Sequence, residues 1–358
     1  MLLTVAVMLG MIMAIIDTTI VNVALAKISG NLGASLDEVP WVATGYLLSA
    51  VIIMPMNGWL TAYLGRKRYY ATSLVIFTAA SVLCGTATSI WQLVAYRVIQ
   101  GLGGGALQPT AQSILFESYP PNRRAQGMAL FGLGAMVGPA VGPLLGGYIV
   151  ANYDWPLIFY INLPIGIIAF FMTLAYVHDP EYLRKPEGAF DWQGLTLMAV
   201  GLSSLQYVLE RGQHDDWFNS PVIVALTITT VIGLVGFVYR ELTAASPVVN
   251  LRIFANRTFA AGNFVGVVTG FGLFGLNLIL PLFMQSLIGW DAWQTGVALL
   301  PGAIATAVSM IVVGQLSRLV PGRLFMAGGL LLFAVSAWQM SYLDQTAGFW
   351  DFFWPRFW

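Results

Sequence analysis

The apolar positions of this chain follow neither strict alternation nor a narrow helical stripe. They run together in blocks of about 20 residues, the length a helix needs to cross a bilayer. Eleven blocks are predicted as helical spans: Leu2–Ala26, Trp41–Leu64, Tyr69–Ser89, Ile90–Phe116, Ala125–Val150, Leu157–Val177, Trp192–Leu209, Pro221–Tyr239, Phe259–Leu287, Thr295–Leu316 and Leu324–Tyr342. Runs this long and continuous exclude barrel strands, and a helix is the only open-ended segment that satisfies its own backbone in lipid. The pattern predicts an all-α polytopic membrane protein.

Composition removes the soluble alternative. Of 358 residues, 58% are hydrophobic and 9% charged, against about 25% charged in an ordinary soluble domain. A water-soluble globule of this length needs a large polar exterior, and 16 acidic plus 16 basic residues cannot cover one. The mean hydropathy of +0.77 agrees. Zero net charge excludes a basic nucleic-acid face. The single cysteine, Cys84, excludes a disulfide framework or a thiolate metal cluster. The first span is too long for a cleavable signal and lacks a small-residue cleavage site.

Charge also sets the expected orientation. With a cytoplasmic N-terminus, the inner loops collect Arg66–Arg68, Arg123 and Arg124, Arg184 and Lys185, Arg240–Arg257, Arg318 and Arg323. The outer loops hold only Lys27, Arg211 and Arg356. The positive-inside rule selects that arrangement, and Trp41, Trp91, Trp155, Trp217 and Trp290 then fall at the outer interface, where amphipathic rings anchor helices.

Two polar connectors divide the chain. The expected organisation is a six-helix bundle over 1–177, a cytoplasmic connector over 178–191, an inserted helix pair over 192–239, a second connector over 240–258, and a partial bundle of three helices over 259–358. The chain begins almost directly in a span and stops in the aromatic run Phe352–Trp358, as a span would open. The sequence is therefore expected to be incomplete.

Two charges sit inside spans, Asp17 and Arg97. Each costs about 2.5–3.5 kcal/mol or more at mid-membrane unless paired or hydrated. By helical rise, Asp17 lies about 15 Å below the outer end of the first span and Arg97 about 12 Å below that of the fourth. They could meet if those helices are neighbours. A structural ion pair is one account. The other is a proton site, since poor hydration raises a carboxyl pKa and a nearby guanidinium lowers it; a contact made in one conformation alone would couple protonation to shape. Asn22, Gln100, Gln108 and Gln112 are candidates to line the same cavity, with interhelical hydrogen bonding as the alternative. Glu117 reads as a boundary charge, and His178 and His214 lie in loops. No metal site is expected.

Glycine and proline mark the fifth span, where Gly138-Pro139 and Gly142-Pro143 precede Gly146-Gly147. Each proline removes a backbone donor and the glycines permit close approach, which implies a kinked interface that can rearrange. Gly101 and Gly103–Gly105, a turn beyond Arg97, would bring the fourth helix close to a partner. Gly262, Gly266 and Gly270 read as tight packing.

With these residues in view, the sequence resembles the fourteen-helix drug:proton antiporters of the major facilitator superfamily, the EmrB/QacA group. IDTTIVNVALA in the first span is similar to that group's LDxTIVNVALP, with Asp17 at the acidic position. Leu93, Arg97, Gln100, Gly101 and Gly103 match lxxxRxxqGxg, a pattern associated in the family with proton coupling. Gly138, Gly142, Pro143, Gly146 and Gly147 match the antiporter pattern GxxxGPxxGG. Gly58, Leu60, Gly65, Arg66 and Lys67 match the cytoplasmic loop signature GxLaDrxGrk, and SLQYVLERGQHDDWF resembles EmrB-like members in particular. Ala62, Ala26 and Ala129 depart from the patterns; Ala62 replaces the loop aspartate, which argues against an acid-based latch there. Eleven helices, as six, two and three of an expected fourteen, imply a C-terminally truncated member.

The resemblance implies the major facilitator fold and a proton-driven exporter of hydrophobic compounds, working by alternating access in the inner membrane. Asp17 would exchange protons, Arg97 would modulate it, and the fifth helix would flex. It also implies hydrophobic small-molecule substrates, no cofactor beyond the coupling proton, and a periplasmic adaptor with an outer-membrane channel as partners. The alternatives are a nutrient:proton symporter of the same superfamily or a fragment that transports nothing. An intramembrane enzyme lacks its pieces: there is no HExxH, no intramembrane His and no paired membrane aspartates.

Overall fold

The computed structural model describes residues 2–35, 38–180, 190–290, 292–316 and 319–358. Most of the first connector, with Arg184 and Lys185, lies outside the described residues, as do Arg318 and the side chains of Pro139 and Pro143. Among the described residues every regular element is helical. They are α1 (Leu2–Leu32), α2 (Pro40–Ile53), α3 (Asn57–Leu64), α4 (Arg66–Gly85), α5 (Ile90–Ser118), α6 (Arg124–Asn152), α7 (Leu157–Tyr160), α8 (Asn162–Tyr176), α9 (Trp192–Arg211), α10 (Pro221–Thr243), α11 (Arg257–Phe283), α12 (Ala292–Leu316), α13 (Gly322–Met340) and α14 (Phe349–Phe357).

Each expected span has its helix, and two of them are broken by proline. The second becomes α2 and α3 around a 3₁₀ turn at Met54–Met56, where Pro55 cannot donate to Val51. The sixth becomes α7 and α8, because Pro164 leaves the Tyr160 carbonyl without its helical donor. Six described segments are long and apolar enough to span a membrane: Leu2–Leu25, Pro40–Leu64, Leu157–Tyr176, Pro221–Thr243, Gln294–Leu316 and Gly322–Met340. On α11, Phe264, Val267 and Phe271 are 70%, 69% and 85% exposed. Such a greasy stripe suits hydrocarbon rather than water. The protein is a multi-pass membrane protein.

The described chain divides into two units. Unit 1 holds Met1–Ala14, Leu25–Ala111 and Asp154–Ala255; unit 2 holds Ile15–Ala24, Gln112–Tyr153 and Asn256–Trp358. In unit 1, α4 packs on α7 and α8, and the helices α9 and α10, expected as an inserted pair, pack on each other, with α9 also on α2. The pair closes at Gly233, where an added Cβ would sit 2.8 Å from Gly201 Cα, so these backbones touch. Its docking on α2 uses Trp41 against Tyr207, with ring centroids 5.7 Å apart, and Thr44 Oγ1, which donates to Glu210 Oε2 at 3.0 Å. In unit 2, α12 packs against α6 and α14, and Leu280, Met284, Ala298, Ala347 and Phe352 form a buried cluster.

Candidate functional site

The fourth-span pattern builds a compact site in unit 1. Arg97 on α5 is 1% exposed. Its Nε donates to the Val42 carbonyl at 3.1 Å and its Nη1 to Gln100 Oε1 at 2.7 Å. The guanidinium lies 4.3 Å from the Tyr46 ring centroid and 5.8 Å from that of Phe159. A buried cation is tolerable only when its donors and its charge are both answered; here carbonyl, amide and aromatic faces contribute. Gln100 is therefore a buried partner of Arg97, and Cys84 Sγ donates to the same Oε1 at 3.6 Å.

Glycine makes that arrangement possible. A Cβ on Gly101 would strike Ser49 Oγ and the Tyr46 carbonyl. One on Gly105 would lie 2.6 Å from the Ala50 carbonyl, and one on Gly103 would lie 2.6 Å from Phe77 N and 2.7 Å from the Ser73 carbonyl. So α5 is wedged between α2 and α4 by bare backbone, and Tyr46 is held over Arg97. Further along, Pro109 has no N–H for the Gly105 carbonyl. Asn57 Nδ2 donates to that oxygen instead, at 3.4 Å.

Asp17 belongs to unit 2 and is wholly buried. The α1 stretch around it is set by the fifth-span glycines on α6. Positions for a Cβ on Gly138, Gly142 and Gly146 are filled by Ile15, Thr19 and Ile20 respectively, and Thr19 Oγ1 donates to the Gly138 carbonyl at 3.1 Å. At roughly 100° per residue, Asp17 lies about 160° round α1 from Thr19 but about 60° from Ile20. The glycine-proline helix therefore positions the helix that bears the acid. A Cβ on Gly147 would meet nothing within 4 Å among the described residues.

The remaining polar candidates separate. Asn22, Gln108 and Gln112 are exposed, whereas Gln100 is buried with Arg97. In the loop between α3 and α4, Gly65 adopts φ +83°, a left-handed conformation that favours glycine. Arg66 is buried there and Lys67 partly buried, while a Cβ on Gly58 would meet nothing within 4 Å among the described residues. A carboxylate that sequence reading missed serves this loop. Asp179 Oδ1 accepts the Lys67 N–H at 2.9 Å, at the start of α4, where a helix has unsatisfied donors. This acid comes from just beyond α8. The only available signal was Asp179-Pro180 ending an apolar run. Gly262, Gly266 and Gly270 on α11 meet nothing within 4 Å among the described residues, so the tight packing expected of them is absent there.

Helices of membrane length define a multi-pass membrane protein, and comparison with known proteins supplies the family. The Major Facilitator Superfamily model matches residues 7–355, and the chain belongs to that superfamily. It is 35% identical to the multidrug export protein EmrB of Escherichia coli (strain K12) over 357 residues, 99% of this chain and 70% of that one. Identity to the fatty acid resistance protein FarB of Neisseria gonorrhoeae is 36%, over 98% of this chain and 69% of that one. Among solved structures it resembles the proton:xylose symporter XylE with a TM-score of 0.65 at 15% identity, covering 99% of this chain and 78% of that one, which shows the fold alone. A transporter rather than an enzyme is what this membership indicates, in agreement with the sequence.

Proposed function

We propose that this chain is a proton-driven multidrug efflux transporter that moves hydrophobic compounds out across the inner membrane, with its N-terminus in the cytoplasm. The observation that carries the reading is Asp17: a carboxyl wholly buried within a membrane-spanning helix, in a chain whose curated relatives include multidrug exporters. Intramembrane acids mark ion and proton pathways. Asp17 would take up a proton from outside and release it inside, while Arg97 is held separately by Gln100, Val42 and Tyr46. A membrane potential supplies about 2.3 kcal/mol per charge per 100 mV, enough for one inward proton to sustain an outward drug gradient. A periplasmic adaptor and an outer-membrane channel are the partners this reading entails.

The test is accumulation of a fluorescent lipophilic cation in inverted vesicles containing the chain. Accumulation should begin when the vesicle interior is acidified and collapse when a protonophore is added. Accumulation that ignores the protonophore contradicts proton drive, and movement in the opposite direction contradicts export.

A further inference from the structure

The inserted pair carries a buried acidic cluster that the efflux reading does not use. Asp191 caps α9 by accepting the Gly194 N–H at 3.0 Å, and the Arg240 Nε at the end of α10 donates to both its oxygens, at 3.2 and 3.0 Å. Next to Arg240, Glu241 is 0% exposed. Its Oε2 accepts the Val249 N–H at 2.9 Å, whereas its Oε1 is buried without a hydrogen-bond partner. That oxygen is aimed at the cluster. A Cβ built on Gly194 would lie 2.8 Å from Glu241 Oε1 and 3.0 Å from Asp191 Oδ2, so a larger residue there would have to push these carboxyls aside.

Among the described residues the charges do not balance. Two buried carboxyls share one guanidinium there, and that guanidinium is spent on Asp191. From the other elements packed here, Arg252 donates its Nη2 to the Leu242 carbonyl at 2.8 Å. His214, Asp215 and Asp216 belong to the turn at the opposite end of α10. A buried carboxylate oxygen with no donor and a second carboxyl beside it is costly when ionised, and a proton removes the cost.

We propose that Glu241 and Asp191 form a proton-binding site at the end of the inserted pair, in which Glu241 Oε1 carries the proton and Asp191 stays ionised on Arg240. One proton passes from water to Oε1 as the pair and the following connector close around it. Folding of this corner is therefore favoured while Glu241 is protonated, and its stability falls as pH rises through the site's own pKa. The inference stands on geometry separate from Asp17 and holds whether or not Asp17 couples transport.

Infrared difference spectroscopy of the full chain during a pH titration tests it, in an Asp17→Asn background so that the two acids cannot be confused. A protonated-carboxyl C=O band should persist at neutral pH, vanish on alkalinisation and be missing from Glu241→Gln. Because glutamine mimics the protonated acid, that variant should keep the fold and lose the alkaline decline in thermal stability. A band unaffected by Glu241→Gln overturns the proposal. So does a Gln variant that unfolds at neutral pH, since the ionised form would then be the one required. Loss of the band on adding potassium at fixed pH would assign the site to a metal cation instead. Gly194→Ala supplies an independent check: pressing on both oxygens, it should shift the band's titration midpoint, and an unmoved midpoint would contradict the assigned atoms.

Discussion

Arg97 and Gln100, one helical turn apart on α5, are both buried and joined by a 2.7 Å hydrogen bond. The amide answers a charge withdrawn from bulk solvent. Replacing it by Gln100→Leu keeps the bulk and removes the acceptor, which should cost about 1.5–3 kcal/mol, the range for hydrogen bonds to charged groups. The check is thermal unfolding in detergent, where Gln100→Glu should be tolerated better than Gln100→Leu.

Tyr46 contributes through its ring rather than through general packing. Tyr46→Phe retains an aromatic face 4.3 Å from the guanidinium, whereas Tyr46→Leu discards it. The difference should approach 2 kcal/mol, roughly the value of a desolvated cation–π contact. Stability of the two variants, measured side by side, decides this; equal losses would assign Tyr46 to packing alone.

Glycines on α5 and α11 should answer alanine in opposite ways. Gly103→Ala drives a Cβ into α4 backbone 2.6 Å away and should destabilise by about 1–3 kcal/mol, as overpacking does. Gly266→Ala meets nothing among the described residues and should be neutral or stabilising by up to about 1 kcal/mol through helix propensity. Melting temperatures of the pair provide the comparison.

How far could the sequence be read? Spans were legible because lipid imposes one length and one kind of segment. Asp17 and Arg97 were legible because a charge in an apolar run has few innocent explanations. The glycines on α5 and α6 advertised close contact correctly, while the same spacing on α11 did not, since small residues permit approach without supplying a neighbour. Gln100 is buried beside Arg97, whereas Gln108 and Gln112, further along the same helix, are exposed. Asp179 on Lys67, and Glu241 beside Gly194, join residues far apart in sequence, and no local pattern announces such pairs.

Acid should loosen the inserted pair. Burial works against charge on Asp191, but the Arg240 guanidinium and the Gly194 N–H outweigh it and hold this carboxyl below the ordinary range. With the folded pKa depressed, the stabilisation is complete above the unfolded value of about 3.9 and is lost as pH falls through the folded one. Asp191→Asn should cost up to about 1 kcal/mol near neutrality, the worth of a partly exposed ion pair, since asparagine caps a helix as well as aspartate does. The variant's acid unfolding profile should be flatter than that of the parent.

Proton release on drug binding goes to the centre of the account. In lightly buffered detergent solution, adding a lipophilic substrate to the full chain should acidify the medium, as Asp17 gives up its proton. With Asp17→Asn the substrate should still quench tryptophan fluorescence but release no proton. Release of equal size from both proteins would show that the buried acid of α1 is not the coupling group.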